Sequence, residues 1–170
     1  RTVRALLWEW LRHPPSGWRV EPVFADVKVG RYRYARSFTC RFLGIPDEWA
    51  CDSPIDFAPG DQFLGLDWSP DSVPEMRTAL SAMETSGVSI SFVVYDMLPL
   101  VLPQHFPSGR PQAFSRWLGT IARHEQLICI SRSVADQLRA YLNQHRPPNG
   151  LMPRISWFHL GADIDNSAPT

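Results

Sequence analysis

The sequence lacks most of the features that would place a protein in a class at once. Its 170 residues contain no apolar run that approaches the roughly 18 residues needed to span a bilayer. The 17 basic and 17 acidic side chains leave no net charge, which points to no polyanionic partner. The three cysteines, Cys40, Cys51 and Cys129, are odd in number and match no zinc or redox spacing. We therefore expect a cytoplasmic protein with reduced thiols, one ordinary core and no metal site.

The usual catalytic signatures are also absent. No G-x-G-x-x-G or G-x-x-x-x-G-K-[ST] occurs, so neither a dinucleotide site nor a P-loop is supported. No H-E-x-x-H or G-x-S-x-G occurs, which argues against zinc proteolysis and the serine-hydrolase elbow. The five histidines are scattered without ligand spacing. A function must therefore be sought in the organisation of the chain.

Short apolar runs alternate with amphipathic segments along the chain. Strands are predicted at 18–25, 62–66, 88–95, 127–130 and 155–158. Helices are predicted near the start, in part of 31–43, from Ser72 to a stop at Gly87, after Pro111, and after a cap formed by Ser133 with Asp136. This alternation predicts an α/β fold with a mostly parallel sheet and helices on both faces.

Two further features concern the organisation of the chain. The first helical pattern is already running at residue 3 and there is no initiator Met, so we expect a strand and loop that precede Arg1 to be missing. The loops near 45–59 and 98–111 are biased in composition, and the first is long enough to suggest a functional role.

Polar residues follow two of the apolar strands. Tyr95 and Asp96 end the run SFVV, and Ser131 and Arg132 follow QLICI. Ligands of open parallel sheets bind beyond the carboxyl ends of the strands, so these residues are candidates for a crevice. The Asp96 carboxylate could accept hydrogen bonds from ligand hydroxyls or merely cap a loop. Ser131 and Arg132 could bind a phosphate, or Ser131 could only satisfy local backbone.

A basic, aromatic segment contains no acidic residue between Val27 and Pro46. Its aromatic residues suit a membrane interface, and its cations suit anionic lipid headgroups or a lipid pyrophosphate. Single-stranded nucleic acid would fit the same pattern, but the neutral charge of the whole chain makes it the least favoured partner. A helix with packed rings and solvated arginines is the simpler alternative. The basic residues are Lys28, Arg31, Arg33, Arg36 and Arg41.

Three short motifs occur in order along the chain, YDMLPL at 95–100, EQLICIS at 125–131 and GAD at 161–163. Together they resemble the N-terminal domain of family 4 (group 1) glycosyltransferases with the GT-B fold. RTVRALLWEW also looks like the first helix that follows the Gly-rich loop of this family. Glu125 stands where relatives usually have Asp, and the C-terminal domain, which in relatives binds the nucleotide sugar, is absent.

The resemblance implies a Rossmann-like, three-layer domain at residues 1–163, with 164–170 starting a linker or tail. Asp96 would be the catalytic candidate on this acceptor half, and Gly161 and Asp163 would face the other domain. The acceptor-binding candidates are Tyr95, His105, Glu125, Ser131 and Arg132. No metal or cofactor is expected beyond the nucleotide-sugar donor.

The resemblance also implies an activity for the full-length protein. That protein would transfer a hexosyl or deoxyhexosyl group to a glycan or lipid-linked acceptor in bacterial surface-polysaccharide (lipopolysaccharide) synthesis, with possible peripheral contact at the inner face of the membrane. The isolated chain would be inactive. The alternative is a non-catalytic Rossmann-like module that binds a glycan or a phosphorylated ligand. A receiver-like domain is disfavoured, because Asp67 and Asp96 lack the expected acidic pair and Lys.

Overall fold

The computed structural model describes residues 2–147 and 150–159. The chain divides into two compact units, the first ending at Ser89 and the second beginning at Ile90. The helices are α1 (Thr2–Arg12), α2 (Arg36–Leu43), α3 (Arg77–Thr85), α4 (Leu98–Val101), α5 (Arg110–Ile121) and α6 (Arg132–Gln144). The strands are β1 (Val23–Asp26), β2 (Arg31–Tyr34), β3 (Gln62–Gly65), β4 (Ser89–Val94), β5 (Gln126–Cys129) and β6 (Arg154–Trp157). Short 3-10 helices occupy Val73–Met76 and Pro103–His105.

The main sheet confirms the predicted α/β class. Its four strands are parallel and lie in the order β3-β4-β5-β6, with helices flanking them. Phe92, Val93 and Val94 are consecutive in β4 and all buried. Successive side chains of a strand point to opposite faces, so this strand is covered on both sides as the unbroken apolar run predicts.

In the second unit, α5 and α6 provide the apolar faces around β4, β5 and β6. Trp117 and Leu118 of α5 and Leu138 of α6 are almost completely buried, as is Leu127 of β5. Each fully buried side chain of this size contributes about 1.5–3 kcal/mol relative to exposure. The residues that follow the carboxyl ends of these strands are therefore held in place by a well-packed core.

The first unit contains a small antiparallel sheet in place of a predicted helical stretch. Residues 31–34 form β2, which pairs with β1 through a turn that contains Gly30. Tyr32 and Tyr34 are buried, whereas Arg31 is exposed and Arg33 half-exposed. This two-residue alternation is the period of a strand, so the prediction of a helix over 31–43 holds only for α2.

The cap of α6 also differs from the prediction. Ser131, and not Ser133, is the N-cap residue, and its Oγ accepts a hydrogen bond of 3.3 Å from the Val134 backbone N–H. The helix therefore starts directly after β5, because β5 ends at Cys129 and leaves one residue between strand and cap. The predicted end of α3 is close to the observed one, because Gly87 lies two residues beyond this helix and has φ +85.

Within residues 2–147 and 150–159, no helix combines the length and the apolar composition needed to cross a membrane.

Candidate functional site

Three strands of the parallel sheet end in register in the second unit. Val94, Cys129 and Trp157 are aligned across β4, β5 and β6. The ladder continues for one more residue, since Ile130 N–H donates to the Val94 carbonyl at 3.2 Å and Phe158 N–H to the Cys129 carbonyl at 3.0 Å. Neighbouring strands of a sheet lie about 4.8 Å apart. Residues two positions beyond each strand therefore emerge side by side at one edge.

Those positions hold Asp96, Ser131 and His159, which we call the carboxyl-edge site. The sequence predicts the first two as neighbours at this edge, and the register of β4 and β5 agrees with that expectation. The sequence motifs do not single out His159, because the five histidines show no ligand spacing. A signal was available: His159 stands at the same offset from β6 as Asp96 from β4 and Ser131 from β5.

The Asp96 carboxylate helps to shape the start of α4. Its Oδ1 accepts a hydrogen bond of 2.9 Å from the Leu98 backbone N–H. No second hydrogen bond to this carboxylate is found among residues 2–147 and 150–159. The loop-cap interpretation therefore describes one oxygen, and the half-exposed carboxylate keeps lone pairs that can accept hydrogen bonds from ligand hydroxyls.

Ser131 and Arg132 divide their roles at the start of α6. The Ser131 hydroxyl serves the helix cap described above, so the local-backbone interpretation of this residue is correct for its Oγ. The Arg132 side chain is 77% exposed, and its Nε lies 3.8 Å from Asp136 Oδ2. An exposed ion pair at this distance stabilises the fold by only about 0–1 kcal/mol. An anionic ligand can therefore compete with Asp136 for the Arg132 guanidinium.

Two other predicted residues lie on the connection between β4 and α5. Tyr95 directly follows β4 and is half-buried. His105 closes the 3-10 helix Pro103–His105 and is exposed. Tyr95 is thus adjacent in sequence to the carboxyl-edge site, and His105 belongs to the loop that starts there.

Glu125 lies at the amino-terminal end of the parallel strands, opposite the carboxyl-edge site. It immediately precedes β5, and its backbone carbonyl accepts a hydrogen bond of 2.9 Å from the N–H of Arg154 at the start of β6. Its side chain is 61% exposed, with Oε1 at 3.9 Å from Arg154 Nη2. The structure therefore separates Glu125 from Asp96 and Ser131, although all three belong to the motifs that carry the family resemblance. Gly161 and Asp163, predicted to face another domain, lie outside the described residues.

The basic, aromatic segment is less cationic in the fold than in the sequence. Arg41 Nη1 lies 2.7 Å from Asp47 Oδ2. Arg33 donates to the Asp52 carbonyl at 2.8 Å and has its Nε 4.0 Å from Asp26 Oδ2. Asp26 and Asp47, which pair with these arginines, lie just outside the acid-free interval. The surface is therefore less positive than the residues of the interval alone indicate.

The remaining cations of this segment have different surroundings. The Arg36 guanidinium lies over the Tyr34 ring at 4.1 Å from its centroid. Lys28 and Arg31 are exposed and form no ion pair within the described part of the chain. Binding of a lipid headgroup or a pyrophosphate by this segment stays a prediction.

The first unit also contains an open pocket of about 390 Å³ beside α2. Glu21, Arg36, Thr39, Pro46 and Trp49 are among the residues that line it. From the sequence, the loop that carries Trp49 stands out only by its length. The exposure of the indole is not predicted, because it depends on contacts that no local pattern encodes.

Burial shifts the pKa of two groups that could otherwise react. Burial raises the pKa of the Cys129 thiol to about 11, although the nearby Arg139 lowers it. Burial likewise raises the pKa of the Tyr32 phenol well above its usual range. Both groups stay protonated near neutral pH. Across residues 2–147 and 150–159, no three His, Cys, Asp or Glu side chains are grouped to hold a metal ion.

The carboxyl-edge site offers the Asp96 carboxylate and the His159 imidazole, and Arg132, the residue after Ser131, adds an exposed guanidinium. Such groups can accept hydrogen bonds from sugar hydroxyls and donate them to a phosphate or to ring oxygens. They can position a polyhydroxylated ligand that carries an anionic group.

Three curated proteins are similar to the whole chain, each a serotype-specific mannosyltransferase WbdA from Escherichia coli. Each is 35% identical over 174 aligned residues, which include 100% of this chain and 20% or 21% of the relative. The chain thus spans about a fifth of the length of these relatives. No protein-family model and no solved structure matches it. The chain is therefore homologous, from end to end, to one segment of these mannosyltransferases.

Proposed function

We propose that this chain is the acceptor-side, N-terminal part of a GT-B glycosyltransferase of family 4. The full-length protein transfers a mannosyl group, or another hexosyl or deoxyhexosyl group, from a nucleotide sugar. The acceptor is a glycan or a lipid-linked glycan in the synthesis of a bacterial surface polysaccharide. The observation that carries this proposal is the 35% identity to mannosyltransferases across 100% of the chain.

The carboxyl-edge site supports a role in binding the acceptor. Asp96 offers free carboxylate lone pairs to the hydroxyl that will be glycosylated. Arg132 stands exposed at the start of α6, where the helix dipole adds positive potential for a phosphate. In this proposal the part of the enzyme represented here contributes positioning and electrostatics, and the donor is bound by a part of the protein beyond this chain.

Sugar transfer by the full-length protein tests the proposal directly. Nucleotide-linked mannose, with other nucleotide-linked hexoses and deoxyhexoses in parallel, is incubated with mannose oligosaccharides or with a polyprenyl-pyrophosphate-linked sugar. We expect elongation of an acceptor by mannose. Binding of the acceptor without transfer of any of these sugars would replace the proposal with a non-catalytic glycan-binding module.

The role of Asp96 is tested by two substitutions in that protein. Asn can still accept the hydrogen bond from the Leu98 N–H, whereas Ala cannot, so Asp96→Asn retains the cap and removes the charge. A hydrogen bond to a charged group contributes about 1.5–3 kcal/mol, so we expect kcat/KM to fall by roughly ten- to a hundredfold in Asp96→Asn at unchanged thermal stability. Asp96→Ala should in addition lower the melting temperature.

Asp61 provides the matched control. Its Oδ2 accepts a hydrogen bond of 2.8 Å from the Ala58 N–H, so it is also a loop-capping carboxylate, but it precedes β3 and does not follow a strand. Asp61→Asn should leave transfer unchanged. If Asp96→Asn has the same kcat/KM as the wild type, the role of Asp96 is only to cap the loop.

A further inference from the structure

Trp49 is exposed to a degree that its chemistry does not favour. The residue is 95% accessible, more than any other large apolar residue in the described ranges. Tryptophan has the largest apolar surface of the amino acids, and the free energy that burial of this surface would provide is not gained while the indole is in contact with water. An indole in this state is available to a ligand.

The loop around Trp49 is held in place on both sides. Before it, Asp47 is paired with Arg41 at 2.7 Å, and the Asp47 carbonyl accepts the Ala50 N–H at 2.9 Å. After it, Asp52 Oδ1 accepts the Ser37 N–H at 2.9 Å. The contacts with Arg41 and Ser37 tie the loop to α2, and the Asp47–Ala50 bond closes a turn around Trp49, so Trp49 is presented from a hydrogen-bonded backbone.

Trp49 forms one wall of the open pocket of the first unit, which we call the Trp49 pocket. Its volume of about 390 Å³ lies within the range of small-molecule sites, about 300–1,000 Å³. Glu21 and Arg36 add one carboxylate and one guanidinium to the lining. The stacking of Arg36 on Tyr34 restricts the guanidinium in advance of binding.

The charges of the pocket favour a neutral ligand rich in hydroxyl groups. The Glu21 carboxylate, whose Oε1 lies 3.4 Å from Arg19 Nε, would repel a phosphate in the lining that it shares with Arg36. A carboxylate accepts hydrogen bonds from hydroxyls, while a guanidinium donates to hydroxyl and ring oxygens. The negative face of an indole attracts the C–H groups on the apolar face of a pyranose ring.

We propose that the Trp49 pocket binds one or two pyranose residues of a neutral glycan, with a sugar ring stacked on Trp49 and its hydroxyls bonded to Glu21 and Arg36. The choice of mannose as that sugar rests on the proposed function. The pocket shares no residue with the carboxyl-edge site. It therefore serves to hold a glycan chain and not to react with it.

The test is a titration of the full-length protein with mannobiose and mannotriose up to millimolar concentrations, followed by calorimetry and by ligand-observed NMR. One aromatic stacking contact is worth about 1.4 kcal/mol, which corresponds to roughly tenfold in affinity. We expect this loss in Trp49→Ala and a smaller one in Glu21→Gln. Trp18→Ala is the matched control, since Trp18 is exposed in the same unit but does not line the pocket, and it should bind as the wild type does.

Each outcome separates this inference from the proposed function. Oligosaccharide binding that Trp49→Ala does not weaken, or no binding by the wild type, would overturn the inference even if sugar transfer is observed. Trp49-dependent binding of pyrophosphate in place of oligosaccharides would also overturn it. Trp49-dependent binding of oligosaccharides in a protein that transfers no sugar would sustain the inference and refute the proposed function.

Discussion

Among the glycines that the structure describes, Gly87 is the one at which the backbone most needs the absence of a side chain. It lies at φ +85, and a Cβ there would approach Pro59 Cβ at 3.2 Å and Pro59 Cα at 3.3 Å. The left-handed conformation alone costs about 1–2 kcal/mol for a residue with a Cβ. We expect Gly87→Ala to lower the free energy of unfolding by at least about 1–2 kcal/mol in urea denaturation.

Gly119 is the control for that substitution. It lies inside α5, and a Cβ there would meet no atom within 4 Å. Ala is favoured over Gly in a helix by about 1 kcal/mol, so Gly119→Ala should raise the free energy of unfolding. A loss of stability of equal size in both variants would contradict the conformational explanation.

The thiols should differ sharply in reactivity. Cys51 is exposed, whereas Cys129 is buried with a pKa of about 11. The thiolate is the nucleophile, and at pH 8 only about one Cys129 thiol in a thousand is ionised. We expect iodoacetamide to alkylate Cys51 in the native protein and to reach Cys129 only after denaturation, as followed by peptide mass spectrometry. Early alkylation of Cys129 would show that β5 opens readily.

The same shift gives a pH dependence of stability. The folded state raises the pKa of Cys129 from 9.0 to about 11, so it favours the protonated thiol. This contribution to stability is fully present below pH 9 and is lost as the pH rises from about 9 through 11. Cys129→Ala should remove that part of the alkaline decline, in urea titrations across this interval.

At the scale of the secondary-structure element, α6 depends on its capping residue. Ser131 Oγ bonds to the Val134 N–H, and replacing such a cap with Ala costs about 0.5–2 kcal/mol. We therefore expect Ser131→Ala to lower the free energy of unfolding by about 1 kcal/mol in urea denaturation.

Ser133, the cap predicted from the sequence, serves as the matched control. It is exposed inside the first turn of α6, where a change to Ala should alter stability by less than about 0.5 kcal/mol. If Ser131→Ala and Ser133→Ala lower the free energy of unfolding equally, Ser131 is not the principal capping residue of α6. Because Ser131 also stands at the carboxyl-edge site, the comparison concerns stability alone.

At the scale of the whole molecule, the proposal requires a longer protein than this chain. The sequence contains no Gly-rich phosphate-binding motif, and the alignment covers about a fifth of each mannosyltransferase. We expect the 170-residue chain to transfer no sugar, while the full-length protein does, in the same radiochemical assay. Transfer by the short chain would refute the division between an acceptor-binding and a donor-binding part.

The elements themselves were largely predictable. The buried run Phe92–Val94 marks a central strand because both its faces are covered, and the apolar periodicity of α5 and α6 marks their packed faces. The stretch 31–34 was missed because its alternation of Arg and Tyr is too short to outweigh the helical pattern that follows. The equally short strands β3, β5 and β6 were predicted from their apolar residues, so a four-residue strand is hard to recognise mainly where, as in β2, charged residues alternate through it.

The sequence by itself determined the α/β class and marked Asp96 and Ser131 as residues that follow strands, because hydrophobic period and strand ends are local properties. Only the tertiary structure decided that His159 joins them and that Glu125 does not, since strand register sets which ends coincide. It alone paired Arg41 with Asp47 and Arg33 with Asp26, acids just outside the acid-free interval, and it alone left Trp49 exposed. Pairing and exposure depend on how the backbone folds back on itself and on which segments pack together, and the residue pattern records neither.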